Sequence, residues 1–307
     1  MTGDSKLFVI ASRSGRMANR LVLFANFLAF AEEKGHRVVN FSFHSYADFF
    51  ESTRKDVFCQ YPPPRGSSLL DLPPVAGFLK KTRLPYQAVR GLTWLNRKLP
   101  LASGRVATLK EEEGAEVTWL DSPAVGAACG AARLVLVQGW RFRAPEWVER
   151  HAGVVRDYFR PVAAFAEAAA RSVQALKREA DLVVGVHVRH GDYPTLNGGQ
   201  FYYPTARYAQ WMHELAEQFP GQRVAFLICS DEQRSAEEFP GLAVGFGPGT
   251  PVGDMTALSQ CDLILGPMST FSQWSSFYGN KPLFHLMSRD DRVERERFTV
   301  SYLAEIP

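Results

Sequence analysis

The chain has 307 residues, enough for two domains of ordinary size. Its 46% hydrophobic and 22% charged residues are those of a soluble globular protein, and a net charge of only +3, with Lys and Arg in no long run, gives nucleic-acid binding little support. No run approaches the roughly 20 apolar residues of a membrane span, and Cys59, Cys129, Cys229 and Cys261 form no CxxC pair or zinc spacing.

Leu7 to Ile10 reads as a first strand, followed by the loop Ser12-Arg13-Ser14-Gly15-Arg16. Apolar residues at Leu21, Phe24, Phe27, Leu28 and Ala31 then have the spacing of an amphipathic helix, which Gly35 ends. His36 to Phe41 reads as the next strand, and strand-helix-strand order implies a parallel sheet. Residues 60–105 are rich in proline and in basic residues such as Lys80, Lys81 and Arg90. They read as an insertion of short helices over the first domain, either a solvated surface or part of an acceptor site. Strand Leu134 to Val137 leads to Gly139-Trp140. Pro161 is suited to start a helix running to about Glu179, which places the domain junction between 1–160 and 161–307. The second half alternates strands (182–188, 223–229, 242–246, 263–265, 283–286) with helices (205–219, 255–260, 271–278). This is an α/β class with a doubly wound second domain. Cys229 and Cys261, beside apolar runs, read as reduced core thiols.

Three segments carry chemistry. Val186-His187-Val188-Arg189-His190-Gly191-Asp192-Tyr193 closes the strand 182–188, at the end where open α/β sheets bind ligands. The guanidinium there suits phosphate oxygens. The second segment is Gly253-Asp254-Met255-Thr256-Ala257-Leu258-Ser259-Gln260-Cys261-Asp262. The third is Gly266-Pro267-Met268-Ser269-Thr270-Phe271-Ser272-Gln273-Trp274, in which a strand turns into an aromatic helix. Ser269 and Thr270 are natural helix caps. The free N–H groups of a helix start also bind phosphate, and Arg189 at a neighbouring strand end favours that use. Asp254 reads as a helix cap, His187 as a core histidine, and Asp231 as a loop carboxylate or a ligand for a ribose hydroxyl.

His187-x-Arg189-x-Gly191-Asp192-Tyr193 resembles the first donor-site motif of the α-1,2-fucosyltransferases, which are related to the α-1,6- and protein O-fucosyltransferases. The other two segments resemble that family's later motifs, in its order, between His187 and Gly279. Gly15-Arg16-Met17-Ala18-Asn19-Arg20 resembles the family's N-terminal loop, although Arg20 stands where Gln is usual. The resemblance implies a GT-B fold, two Rossmann-like domains facing a cleft, with the acceptor on 1–160 and the donor on 161–307. It implies inverting transfer of fucose from GDP-fucose to a glycan or glycoconjugate hydroxyl, with no metal and no cofactor. Arg189, Ser269, Thr270 and Phe271 would serve the donor, with Asp254 accepting from guanine N1–H and the 2-amino group. His187 would lie near base or ribose, and Arg16 and Asn19 near the diphosphate or sugar. The catalytic base is open between Asp192, which could instead orient Arg189, and His190, which replaces a second arginine of the common pattern. His44 and Asp48 read either as residues of a surface loop or as acceptor-side alternatives. No Asp-x-Asp metal motif is present, and Asp290-Asp291 is merely adjacent. Without the membrane anchor of a Golgi enzyme, a cytoplasmic bacterial enzyme or a shortened chain is expected. A glycosyltransferase for another nucleotide sugar and a non-catalytic sugar-nucleotide or glycan binder are the rival readings. Acceptor, linkage and oligomeric state are not legible.

Overall fold

The structure is a computed structural model. It describes residues 5–305 apart from 11, 65, 67–68, 83, 99–104, 112 and 115 and the side chains of 97, 196 and 197. The chain forms two α/β units. Residues up to Val162 make the first, joined by the segment beginning at Tyr302; Ala163–Ser301 make the second. The sequence reading assigned everything after residue 160 to the second unit. The return of the last segment is a tertiary event with no local pattern to announce it.

In the first unit β1 (Leu7–Ile10), α1 (Met17–Lys34) and β2 (Arg37–Val39) follow as expected. Thirteen of the 18 residues of α1 are buried, including Phe24, Phe27 and Phe30. Such a helix is apolar all round because it is covered on several sides. The chain then departs from the expected strand. Phe41–Phe49 is a 3-10 helix. Its aromatic residues pack inward, Phe43 lying edge-on to Phe24 and Phe159.

The expected insertion contains β3 (Gln60–Tyr61), α2 (Pro73–Thr82) and α3 (Leu84–Lys98). β4 (Val106–Lys110), β5 (Thr118–Trp119), α4 (Pro123–Cys129), β6 (Leu134–Gln138), β7 (Phe142–Arg143), α5 (Pro145–Arg150) and α6 (Ala152–Tyr158) complete the unit. Its main sheet has the order β3-β2-β1-β6-β4, parallel except for β3.

The second unit runs α7 (Ala163–Lys177), β8 (Leu182–Val188), α8 (Thr205–Ala216), β9 (Val224–Ser230), β10 (Ala243–Phe246), α9 (Pro251–Leu258), β11 (Leu263–Pro267), α10 (Thr270–Gly279) and β12 (Leu283–Leu286). Its sheet is wholly parallel, in the order β10-β9-β8-β11-β12. Successive side chains of a strand face opposite ways. On β8, Val184, Val186 and Val188 join the core that holds Trp211 and Met212 of α8, while Val183 joins the opposite core with Ala169, Val173, Leu258 and Cys261. Helices cover both faces, so β8 reads as a continuous apolar run. All four cysteines are buried free thiols. No described helix is long and apolar enough to cross a membrane.

Candidate active site

From β8 the second unit winds outward through β9 to β10, then returns to the other side of β8 with β11. The reversal lies between β8 and β11, and ligands of doubly wound sheets sit beyond the strand ends at such a point. Arg189 to Tyr193 follow β8 directly; Met268, Ser269 and Thr270 follow β11. The Tyr193 hydroxyl donates to the Met268 carbonyl at 3.1 Å and ties the two strand ends together.

Arg189 is held by carboxylates. Its Nη2 meets Asp192 Oδ1 at 2.5 Å and its Nη1 meets Asp231 Oδ2 at 3.1 Å, while the guanidinium lies 5.4 Å from the Tyr193 ring centre. Asp231 Oδ1 also accepts the backbone N–H of His190 at 3.0 Å. Asp231 thereby fixes both the cation and the turn that carries it. Gly191 makes this approach possible, because a Cβ there would collide with Asp231 Oδ2. The side chains of Arg189, Asp231 and Asp192 are 16%, 20% and 39% exposed, so this ion pair is reachable from solvent.

His190 is placed differently from a catalytic base. It is buried, and its Nε2–H donates to the Tyr203 carbonyl at 2.7 Å. That fixes the tautomer, leaving Nδ1 to accept from Arg234 Nη2. Arg234 in turn pairs with Glu232 at 2.7 Å and Glu238 at 3.2 Å. Both ring nitrogens are therefore engaged within the fold. A guanidinium still lies beside position 190, supplied by Arg234 from a residue 44 positions away.

His187 lies on the other face of β8, stacked on Phe271 with ring centres 4.6 Å apart. Its Nδ1 is 2.9 Å from Ser272 Oγ. Burial, aided by the charge of Arg189, lowers its pKa to about 3, so the ring is neutral. Ser269 caps α10, its Oγ accepting from Phe271 N at 3.2 Å, and Thr270 is buried beside it.

Asp254 is not the cap of α9. Thr250 takes that place by accepting from Gly253 N at 3.3 Å, and Asp254 sits in the first turn, only 5% exposed. Its Oδ1 accepts the Gly249 N–H at 2.9 Å. Gly247 leaves room for the carboxyl, since a Cβ there would press on both Asp254 Oδ1 and Cys229 Sγ. Burial pushes the Asp254 pKa up to about 6.

The first-unit candidates lie at the start of α1. Arg16 is the exposed residue preceding that helix and Asn19 is half-buried in its first turn. Arg20 donates to the carbonyls of Ser42 at 2.9 Å and Gly15 at 3.1 Å. It secures its own loop, where the sequence suggested a cation for an anionic donor. His44 is buried and directs Nε2 at the Val57 carbonyl. Asp48 is exposed and paired with Lys80 at 2.8 Å.

Sequence reasoning did not find Tyr193 as a tie between strand ends, Ser272 as the partner of His187, or Arg234. The missing second arginine at position 190 was the one signal that could have prompted a search for Arg234.

Residues 148–290 match glycosyl transferase family 11. The matched span contains all three ordered segments, so the resemblance read from them holds. No curated protein is recognisably similar to the chain by sequence. In three dimensions the chain is similar to a point variant of Arabidopsis thaliana FUT1 in complex with GDP, with a TM-score of 0.57 and 15% identity over 97% of this chain and 74% of that one. It is also similar to POFUT1 in complex with GDP, with a TM-score of 0.52 and 12% identity over 94% and 99% of the two chains. These likenesses show the fold, the GT-B class expected from the sequence.

Proposed function

We propose that this glycosyltransferase moves fucose from GDP-fucose to a hydroxyl of a glycan or glycoconjugate, with inversion and without a metal. One observation carries the reading. A solvent-reachable arginine and a helix N-terminus stand at adjacent strand ends on the two sides of the sheet's reversal. That arrangement suits a diphosphate. The two solved folds named above hold GDP, which supports the same choice of nucleotide.

In this reading Arg189 exchanges part of its carboxylate pairing for the β-phosphate, and the first amides of α10 face the same group. Both act on negative charge that grows as the bond between the anomeric carbon and the phosphate oxygen breaks. Asp231 keeps the guanidinium aimed. Asp254 accepts from guanine N1–H and the 2-amino group. Adenine carries no donor at those edges, so a buried carboxylate selects against it. Asp192 takes the proton of the attacking acceptor hydroxyl, because His190 has both nitrogens engaged.

The test is transfer of labelled fucose from GDP-fucose to a panel of glycans, with donor hydrolysis followed in parallel and EDTA present in one arm. Fucosylated product or slow GDP release that survives EDTA is expected. Turnover with another nucleotide sugar alone would overturn the donor assignment. GDP-fucose binding with neither transfer nor hydrolysis would point to the non-catalytic binder.

A further inference from the structure

Seven of the eleven large hydrophobic residues exposed on the described surface fall between Leu69 and Leu95. They include Leu72 at 50%, Phe78 at 58%, Leu84 at 46% and Trp94 at 59% exposure. The helices α2 and α3 carry four of the seven, and α3 is apolar on two sides. On α3 the inner face, Tyr86, Val89 and Leu92, packs with Val9, Val39 and Leu136 of the first unit's core. Leu84, Gly91, Trp94 and Leu95 recur at helical spacing on the outer side, where all are exposed. An outer apolar stripe has no role in a helix already anchored by its inner face, and a concentration of this kind marks an interaction surface.

Charge says what kind. Between residues 72 and 110 the sequence has eight Lys and Arg and no Asp or Glu. Net charge over the whole chain is only +3, so the rest of the molecule is net acidic. Lys80 is spent on Asp48 and the Arg54 carbonyl. Lys81, Arg90, Lys98, Arg105 and Lys110 are exposed.

We propose that the α2–α3 segment is a docking surface for a lipid bilayer with anionic headgroups. Aromatic and aliphatic residues interleaved with cations, and free of acids, are the composition of helices that lie in the interface plane. Each basic residue near an anionic leaflet adds to binding and loses its effect as salt screens it. Nucleic acid would use the cations but leave the apolar stripe in water. A second copy of the segment would bring like charges together. Neither helix is long enough to span a membrane, so the attachment is peripheral. The proposal is independent of which sugar is transferred.

The test is flotation of the full chain with vesicles of phosphatidylcholine alone and of phosphatidylcholine mixed with phosphatidylglycerol. Wild type is expected to float with the anionic vesicles, weakly with the neutral ones, and to be released by salt. Phe78→Ser with Trp94→Ser, and separately Lys81→Glu with Arg90→Glu, should each cut flotation by at least about fivefold. Circular dichroism melts and GDP binding serve as fold controls. Two double variants are used so that one misfolded protein does not decide the matter. No flotation of wild type with anionic vesicles, or wild-type flotation by both folded variants, would overturn the proposal. So would a dimer in light scattering that the Phe78 and Trp94 changes dissolve.

Discussion

Two arginines near strand ends, one in each unit, show what separates a structural cation from one available for chemistry. Arg143 ends β7 in the first unit and is fully buried. Its Nη1 donates to the carbonyls of Trp140 and Phe142, each at 2.9 Å, and burial lowers its pKa to about 10. Carbonyls are neutral partners, so this guanidinium is costly to bury and serves the fold. Arg189 follows β8 in the second unit, faces two carboxylates and is reachable from solvent. An ion pair at the surface is weak enough to exchange for a diphosphate. The residue type is shared; the partner and the exposure decide the role.

That contrast is broken most severely at Arg189. Arg189→Ala should lower kcat/KM for transfer by roughly 100- to 1,000-fold while the melting temperature stays near wild type. A variant with near-normal turnover would remove Arg189 from the donor site.

Next comes Asp254→Asn, expected to weaken GDP binding on the order of 100-fold, because one guanine donor is left facing an amide N–H and the other bond loses its charged acceptor. The same change should stabilise the protein. Burial raises the folded pKa from 3.8 to about 6, so the folded state holds a proton longer than the unfolded chain does. The resulting stability is full below pH 3.8 and is lost as pH rises through about 6, leaving a buried charge at neutrality. Removing that charge should raise stability by up to about 3 kcal/mol, seen in thermal melts at pH 7.5. Wild-type GDP affinity, by contrast, should fall as pH drops through about 6, because guanine needs the ionised carboxylate. Flat affinity from pH 5 to 8 would contradict the assignment.

A smaller effect is expected at Asp231, which acts through Arg189. Asp231→Asn should lower kcat roughly tenfold, in the range typical of a supporting contact, with little change in KM for the acceptor. Asp231→Glu should restore part of the loss; equal loss in both variants with a falling melting temperature would make the residue purely structural. The mildest change is Arg143→Met. It should leave GDP affinity within about twofold and stability within about 2 kcal/mol, since a buried cation replaced by an apolar side chain of similar length gives up little. A large loss of GDP binding would break the distinction between the two arginines.

The second unit was legible in sequence because helices cover both faces of its sheet. β8 and β12 match the sequence reading residue for residue, as continuous apolar runs bounded by polar turns. The first and third chemical segments follow the ends of β8 and β11, and the second lies mostly in α9. The first unit was less legible. The strand expected over His36 to Phe41 stops at Val39, and Phe41–Phe49 is a 3-10 helix whose Phe43 packs against Phe24 and Phe159. Two-residue strands such as β5 and β7 are too short to show any period. Within the proposed site, Arg189 and Asp254 were singled out from local motifs. The contacts that set roles are not local. Arg234 reaches His190 across 44 positions, Asp231 reaches the His190 amide across 41, and Tyr193 reaches Met268 across 75. A one-dimensional pattern carries no trace of them.

The central claim is that the strand ends of the second unit select a guanine nucleotide through Asp254 and hold its diphosphate through Arg189. The most direct test is titration calorimetry of GDP, ADP and UDP against wild type and Asp254→Ala. Wild type should bind GDP in the micromolar range and prefer it to ADP and UDP by on the order of 100-fold, and Asp254→Ala should erase that preference while leaving weak diphosphate binding. Equal affinity of wild type for the three nucleotides, or a guanine preference untouched by Asp254→Ala, would contradict the account.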